Sequence, residues 1–184
     1  MSLSGIRVAQ LVGVGAAGYL AGKYVVPSVP CSLLISVFPG FHSAGSTVCI
    51  PALALAPPEI AIKQWAKSYY IGRAQAPALA AMALSAYIYL AYAPGRTVTT
   101  SERYAYIAAG ALTFANIPYT LATMMRTNNE LEALASDSAE KVAERGDRVK
   151  YLFQKWYKMN LVRAFCPLGG VIVGLLAIGG YFAV

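Results

Sequence analysis

Residues 116–134 read NIPYTLATMMRTNNELEAL. The stretch begins inside an apolar run, carries Pro118 there, and leaves through Arg126, Thr127, Asn128, Asn129 and Glu130. Its reading decides the fold, because it is either the plain end of a membrane helix or part of a polar site between helices. Thr127-x-x-Glu130 has the form of a capping box, in which the Thr127 hydroxyl accepts from the Glu130 N–H and the Glu130 carboxylate accepts from the Thr127 N–H. It predicts a helix starting at Asn128, with Leu131, Leu134 and Ala135 as an apolar stripe. Capping alone uses neither asparagine, so the cluster is also read as a cap that lines a site. Upstream, Pro118 has no N–H to give the Phe114 carbonyl, and in lipid a freed carbonyl needs a neighbour or a polar cavity. Asn116, Tyr119, Thr120 and Thr123 surround it. A kink with threonines bonded to their own helix and a cavity remain as two readings.

The rest of the chain supplies the setting. Of 184 residues, 58% are hydrophobic and 12% charged, against about 45–50% and about 25% in soluble domains. This balance predicts a membrane protein. A span needs about 20 apolar residues, and four regions qualify: 6–22 continuing at 46–56, 74–93, 104–125 and 161–184. The expected fold is all-α, a single membrane domain over 1–184: an integral membrane four-helix bundle with a charged cytoplasmic amphipathic helix, 126–158, between the third and fourth spans. Lys and Arg collect at 57–74 and 126–163, which hold 11 of the 15 basic residues. The positive-inside rule therefore makes loops 57–74 and 126–158 cytoplasmic and places the C-terminus opposite.

The first region is interrupted. Residues 23–45 contain Pro27, Pro30 and Pro39 around an apolar core too short to span. Removing them leaves an uninterrupted apolar stretch, and Gly22-Lys23-Tyr24 can encode an intron-start signal. The segment is read as an insertion, either a retained intron or a re-entrant loop or broken helix.

Several function classes are disfavoured. The net charge of +7 is spread between apolar runs rather than gathered with aromatics, so no nucleic-acid partner is expected. Gly13–Gly18, GVGAAG, matches a dinucleotide fingerprint without its strand or its acidic residue, and suits close helix approach instead. His42 is the sole histidine, and Cys31, Cys49 and Cys166 form no pair motif. They are read as membrane-embedded thiols, and neither a metal nor a cofactor is expected. Few ionisable residues lie within the spans, which argues against a transporter.

Two aromatic sets stand out. Trp156, Asn160 and Arg163 fall at i, i+4 and i+7, hence on one helical face. They could anchor the helix at the headgroups or hold a planar aromatic against Trp156 with its oxygen on Asn160 and Arg163. Trp65, Tyr69 and Gly72 repeat the spacing in the other basic segment.

The stretches PALALAPPEIAIKQWAKSYYIGRAQAP (51–77), NIPYTLATMMRTNNEL (116–131) and WYKMNLVRAFCPLGG (156–170) together resemble the fungal anthrone oxygenase family, small four-helix membrane proteins acting beside polyketide synthases. The resemblance implies a cofactor-independent monooxygenase of secondary metabolism in the endoplasmic reticulum or another internal membrane. Its substrates would be a planar aromatic polyketide and molecular oxygen. Carried over by motif, the positions of interest are Trp65, Tyr70, Pro118, Thr120, Thr127, Asn128, Asn129, Trp156, Asn160 and Arg163. In the chemistry this implies, Asn128, Asn160 and Arg163 are the expected oxyanion donors. Trp65 and Trp156 would stack on the rings, and Tyr70, Tyr119, Thr120, Thr127 and Asn129 would complete the substrate site. Glu130, Tyr70 and Tyr119 are alternatives for the base. A non-catalytic scaffold that docks a partner on its charged segment is the other reading, and oligomerisation is left open.

Overall fold

The computed structural model describes residues 44–182 apart from 93, 95 and 96. Within them the chain is helical, with no strand. A π-helical turn, π1 (Gly45–Cys49), leads into the short α1 (Ile50–Leu53), and α2 runs from Pro58 to Tyr92. Next come α3 (Thr100–Phe114), α4 (Asn116–Tyr119), a second π turn, π2 (Thr120–Met124), and α5 (Met125–Ser136). The short α6 (Ala139–Glu144) precedes α7 (Gly146–Ile178).

The boundaries follow from local chemistry. Pro58 opens α2 at a position whose N–H would have no helical partner, and Pro94 follows its end. The Thr99 hydroxyl accepts from the Glu102 N–H at 3.1 Å and the Thr99 N–H donates to the Glu102 carboxylate at 2.9 Å, a complete capping box that starts α3. From Thr100 to Ser136 the chain then remains in one rod, interrupted only at Ala115 and re-phased at π2.

That continuity corrects the expected end of the third span. Met124 is the N-cap residue of α5 and offers no side-chain cap. Thr127 and Asn128 are already inside the helix and buried, while Glu130 pairs with Arg148 at 2.6 Å. No capping box forms at 127–130, because no helix begins there. Likewise 57–74 is not a loop but the first half of α2, and residues 146–158 of the charged segment are the first turns of α7. Two of these helices, α2 and α7, are long and apolar enough to cross a membrane. The expected first span at 6–22, the segment 23–43, the GVGAAG stretch, Cys31 and His42 lie outside the described residues.

Three rods pack together, with α3 between α2 and α7. The start of α3 meets the end of α7, where the Thr99 hydroxyl donates to the Phe182 carbonyl at 3.0 Å, so these two run antiparallel. Their contact is close because Gly170 lacks a side chain: a Cβ there would stand 2.7 Å from the Ala109 carbonyl oxygen and 3.1 Å from the Thr113 nitrogen. Tyr87, fully buried, fills the centre of this half with Leu90, Tyr106 and Val171. A second core gathers Ile62, Trp65, Met124, Leu131, Leu152 and Trp156 around the charged ends of the rods. The candidate site borders this second core, with Trp65 and Trp156 belonging to both.

Candidate functional site

A cavity of about 280 Å³ opens among π1, α1, α2, α4, π2 and α7. Its size is near the lower end of the roughly 300–1,000 Å³ of small-molecule pockets. One wall is aromatic. Trp65 and Tyr69 stack with centroids 5.0 Å apart and planes 8° from parallel, and Trp156 meets Trp65 edge-on at 6.0 Å and 89°. Four residues along α2 carry Trp65 to Tyr69, about one turn, which is why one face supplies both rings. Gly45 closes this wall: a Cβ there would be 3.3 Å from the Trp156 ring and 3.2 Å from the Asn160 amide nitrogen. Excising 23–45 would bring Gly22 directly before Ser46, so a glycine precedes Ser46 with or without the insertion.

The opposite wall is polar and built around Arg163. Its guanidinium donates from Nη1 to the Thr120 hydroxyl at 3.0 Å and from Nη2 to the Asn160 side-chain oxygen. Its Nε is shielded from solvent and has no hydrogen-bond partner. Asn160, fully buried, donates onward to the Ser46 hydroxyl at 3.0 Å, and Ser46 donates to the Tyr157 carbonyl at 2.9 Å. Thr120 donates to the Asn116 carbonyl at 2.7 Å, four residues back in its own rod. The two readings of the Pro118 region are thus compatible: Thr120 satisfies its own helix and also faces the cavity. Arg73 stands on the rim, 5.6 Å from the Tyr69 ring centroid and ion-paired with Glu132 at 3.2 Å.

No carboxylate lines this cavity, so a cation faces an apolar and aromatic space without a lining counter-charge. Such a charge is costly unless an anion joins it. Among the described residues no three His, Cys, Asp or Glu side chains gather as a metal site would require. Cys49 lines the cavity, and Cys49 and Cys166 are free thiols.

Of the residues expected from sequence, Trp65, Thr120, Trp156, Asn160 and Arg163 line the cavity together. Thr127 and Asn128 are buried behind it. Asn128 accepts from Trp156 Nε1 at 3.1 Å, so it touches the site only through that ring. Tyr119 lies to one side and donates to the Met159 carbonyl at 3.3 Å. Asn129 is exposed, Pro118 is exposed, and Tyr70 is 61% exposed on the outer face of α2. Glu130 is held by Arg148 outside the cavity. Among the lining residues that carry-over by motif does not name are Tyr69, Gly72 and Arg73 of α2 and Asn116 of α4. Helical spacing from Trp65 does point to Tyr69 and Gly72, whereas motif carry-over points one residue on, to Tyr70.

Comparison with known proteins places these features in a family. The family model described as anthrone oxygenase matches residues 65–173. An anthrone oxygenase of Claviceps purpurea is 30% identical over 117 residues, covering 62% of this chain and 66% of that protein. The monooxygenase hypC of Dothistroma septosporum is 29% identical, covering 65% and 64%, and the anthrone oxygenase nsrD of Aspergillus novofumigatus is 34% identical, covering 64% and 70%. The chain thus spans slightly less than two thirds of the Claviceps and Dothistroma proteins. No solved structure matches.

Proposed function

We propose, for a chain that belongs to the anthrone oxygenase family, that it oxidises an anthrone-type aromatic polyketide to the anthraquinone with molecular oxygen. The observation that carries this reading is the Arg163 guanidinium, fixed by Thr120 and Asn160 at a cavity with three aromatic rings and no lining carboxylate. A flat, weakly acidic aromatic is the ligand such a site accommodates best: rings against Trp65, Tyr69 and Trp156, oxygen toward Arg163.

The chemistry then needs little from the protein. The CH2 of an anthrone lies between two aromatic rings and is conjugated with the carbonyl, so losing its proton gives an anion delocalised onto the carbonyl oxygen. That electron-rich anion reacts with O2 at the former CH2 carbon, and the peroxide anion so formed takes up a proton, the equivalent of the one lost from the CH2, to give a hydroperoxide. The hydroperoxide loses water to leave the quinone, so one substrate and one O2 give one quinone and one H2O. In this scheme no resident cofactor takes part. Arg163 stabilises the anion and Asn160 and Thr120 position Arg163, since both ends of the Asn160 amide are engaged with protein. Asn128 holds Trp156 rather than touching substrate. With Glu130 outside the cavity, the barrier to proton loss falls through stabilisation of the anion and not through a strong carboxylate base.

The setting we propose is the endoplasmic reticulum or another internal membrane, with the charged ends of α2 and α7 cytoplasmic. Only 35% and 28% of the apolar windows of α2 and α7 are buried within the molecule, and Val162, Phe165 and Ile172 project outward. A soluble core helix would be mostly covered; these faces suit lipid. The experiment is to add an anthrone to membranes carrying the protein and follow quinone absorbance. Faster formation than in membranes lacking the protein is expected. Equal rates would remove the enzyme reading and leave the scaffold.

A further inference from the structure

The Arg163 guanidinium keeps N–H groups for a substrate oxygen beyond those given to Thr120 and Asn160, and a second kind of donor can join them. Of the three donors that the sequence suggests, Asn128 does not line the cavity and Asn160 is committed to Arg163 and Ser46. The Thr120 hydroxyl already donates to the Asn116 carbonyl. That leaves Arg163, with Arg73 at the rim tied to Glu132, to face an oxygen that has two lone pairs and gains charge during the reaction.

Tyr69 is the remaining phenol in the cavity. Its ring is fixed on one side by the 5.0 Å stack with Trp65 and on another by Arg73, 5.6 Å from its centroid. Its hydroxyl makes no hydrogen bond to any described residue, in contrast to Tyr119, whose hydroxyl is spent on the Met159 carbonyl. Tyr69 of α2 and Arg163 of α7 line the same cavity. A rigid ring with an uncommitted O–H, on a mostly apolar cavity that a guanidinium also lines, has the form of a preorganised donor.

We infer that Tyr69 is a catalytic residue of this site, donating a hydrogen bond from its hydroxyl to the same substrate oxygen that Arg163 binds. The inference deepens the anthrone oxygenase reading and rests on it. It involves no covalent step: the phenol keeps its proton and stabilises the anion as charge develops on the oxygen. The rings of the substrate then lie beside the Tyr69–Trp65 stack, with the oxygen between α2 and α7.

Tyr69→Phe tests this, because it keeps the ring and its stack while removing the hydroxyl. In membranes where the wild-type protein oxidises an anthrone, kcat should fall about 100-fold, the scale of losing one oxyanion donor, with KM little changed. Tyr69→Leu should raise KM as well, since it also removes the stacked surface. Wild-type turnover with Tyr69→Phe within about two-fold of it, or a loss confined to KM, would overturn the assignment. Absence of wild-type turnover would instead refute the oxygenase reading. A second measurement does not depend on turnover: 2-naphthol bound to the protein should be partly ionised by absorbance, and less so in Tyr69→Phe. An unchanged ionised fraction would overturn the donor role, and unchanged Trp fluorescence verifies that the variant is folded.

Discussion

Replacing Arg163 by Gln should slow anthrone oxidation by about 10²–10³-fold in kcat, the loss expected when a principal donor to a developing oxyanion is removed. The size follows from how the guanidinium is deployed. Two of its nitrogens hold Thr120, at 3.0 Å, and Asn160, which leaves the remaining N–H groups for a ligand. A charge-assisted hydrogen bond contributes about 1.5–3 kcal/mol. With the cation itself also lost, a barrier increase of about 3–4 kcal/mol is expected, and each 1.36 kcal/mol is roughly tenfold in rate. Arg163→Lys keeps the charge but cannot span Thr120 and Asn160 with a planar fork, so it should retain more activity than Gln and far less than Arg. The assay is initial quinone formation in air-saturated membranes over a range of anthrone concentrations, with the rate in membranes lacking the protein subtracted. Thermal unfolding supplies the control: removing a cation that no lining carboxylate balances should not lower the midpoint. Gln at position 163 with kcat within about two-fold of wild type would refute the anion-stabilising role. A large drop in midpoint would show that Arg163 serves the fold.

Glu130→Ala should leave oxidation within about two-fold of wild type, because the carboxylate pairs with Arg148 at the surface; such a pair contributes about 0–1 kcal/mol to stability. A loss like that of the Arg163 variant would return Glu130 to the list of bases. Gly170→Ala should lower the thermal midpoint, with a cost of about 1–3 kcal/mol or more, since the new methyl meets backbone atoms of α3 that cannot turn away. An unchanged midpoint would mean that α3 and α7 are not packed as described.

Part of the architecture is legible in the sequence because long apolar runs mark long helices: α2 and α7 fall on the runs at 74–93 and 161–184, although each begins well before its run. The pattern Thr-x-x-Glu shows where such reading stops. It occurs at 99–102 and at 127–130. The first follows the break after Pro94 and caps a helix, whereas the second sits in a rod whose backbone is already engaged from upstream. A motif of four residues cannot report whether a helix has ended before it. The site shows the same division. Spacing alone puts Trp156, Asn160 and Arg163 on one face, and spacing from Trp65 marks Tyr69. The role of Asn128 depends on a ring 28 positions away, and local pattern holds no trace of it.

The π2 turn at Thr120–Met124 also acts as a change of phase. A π turn takes up about one residue more than an α turn, and one residue is worth about 100° of rotation about the axis. Had the rod continued as an α-helix, Thr127, two turns on, would lie almost directly above Thr120. The extra residue hands that angular position to Asn128, beneath Trp156. Everything downstream, including the buried Leu131 and Leu134, inherits the offset, so the rod reads as two differently timed halves joined at the cavity wall. Deleting a single residue from this turn would leave composition, length of the apolar run and every motif nearly intact, yet turn the whole charged half away from its partners.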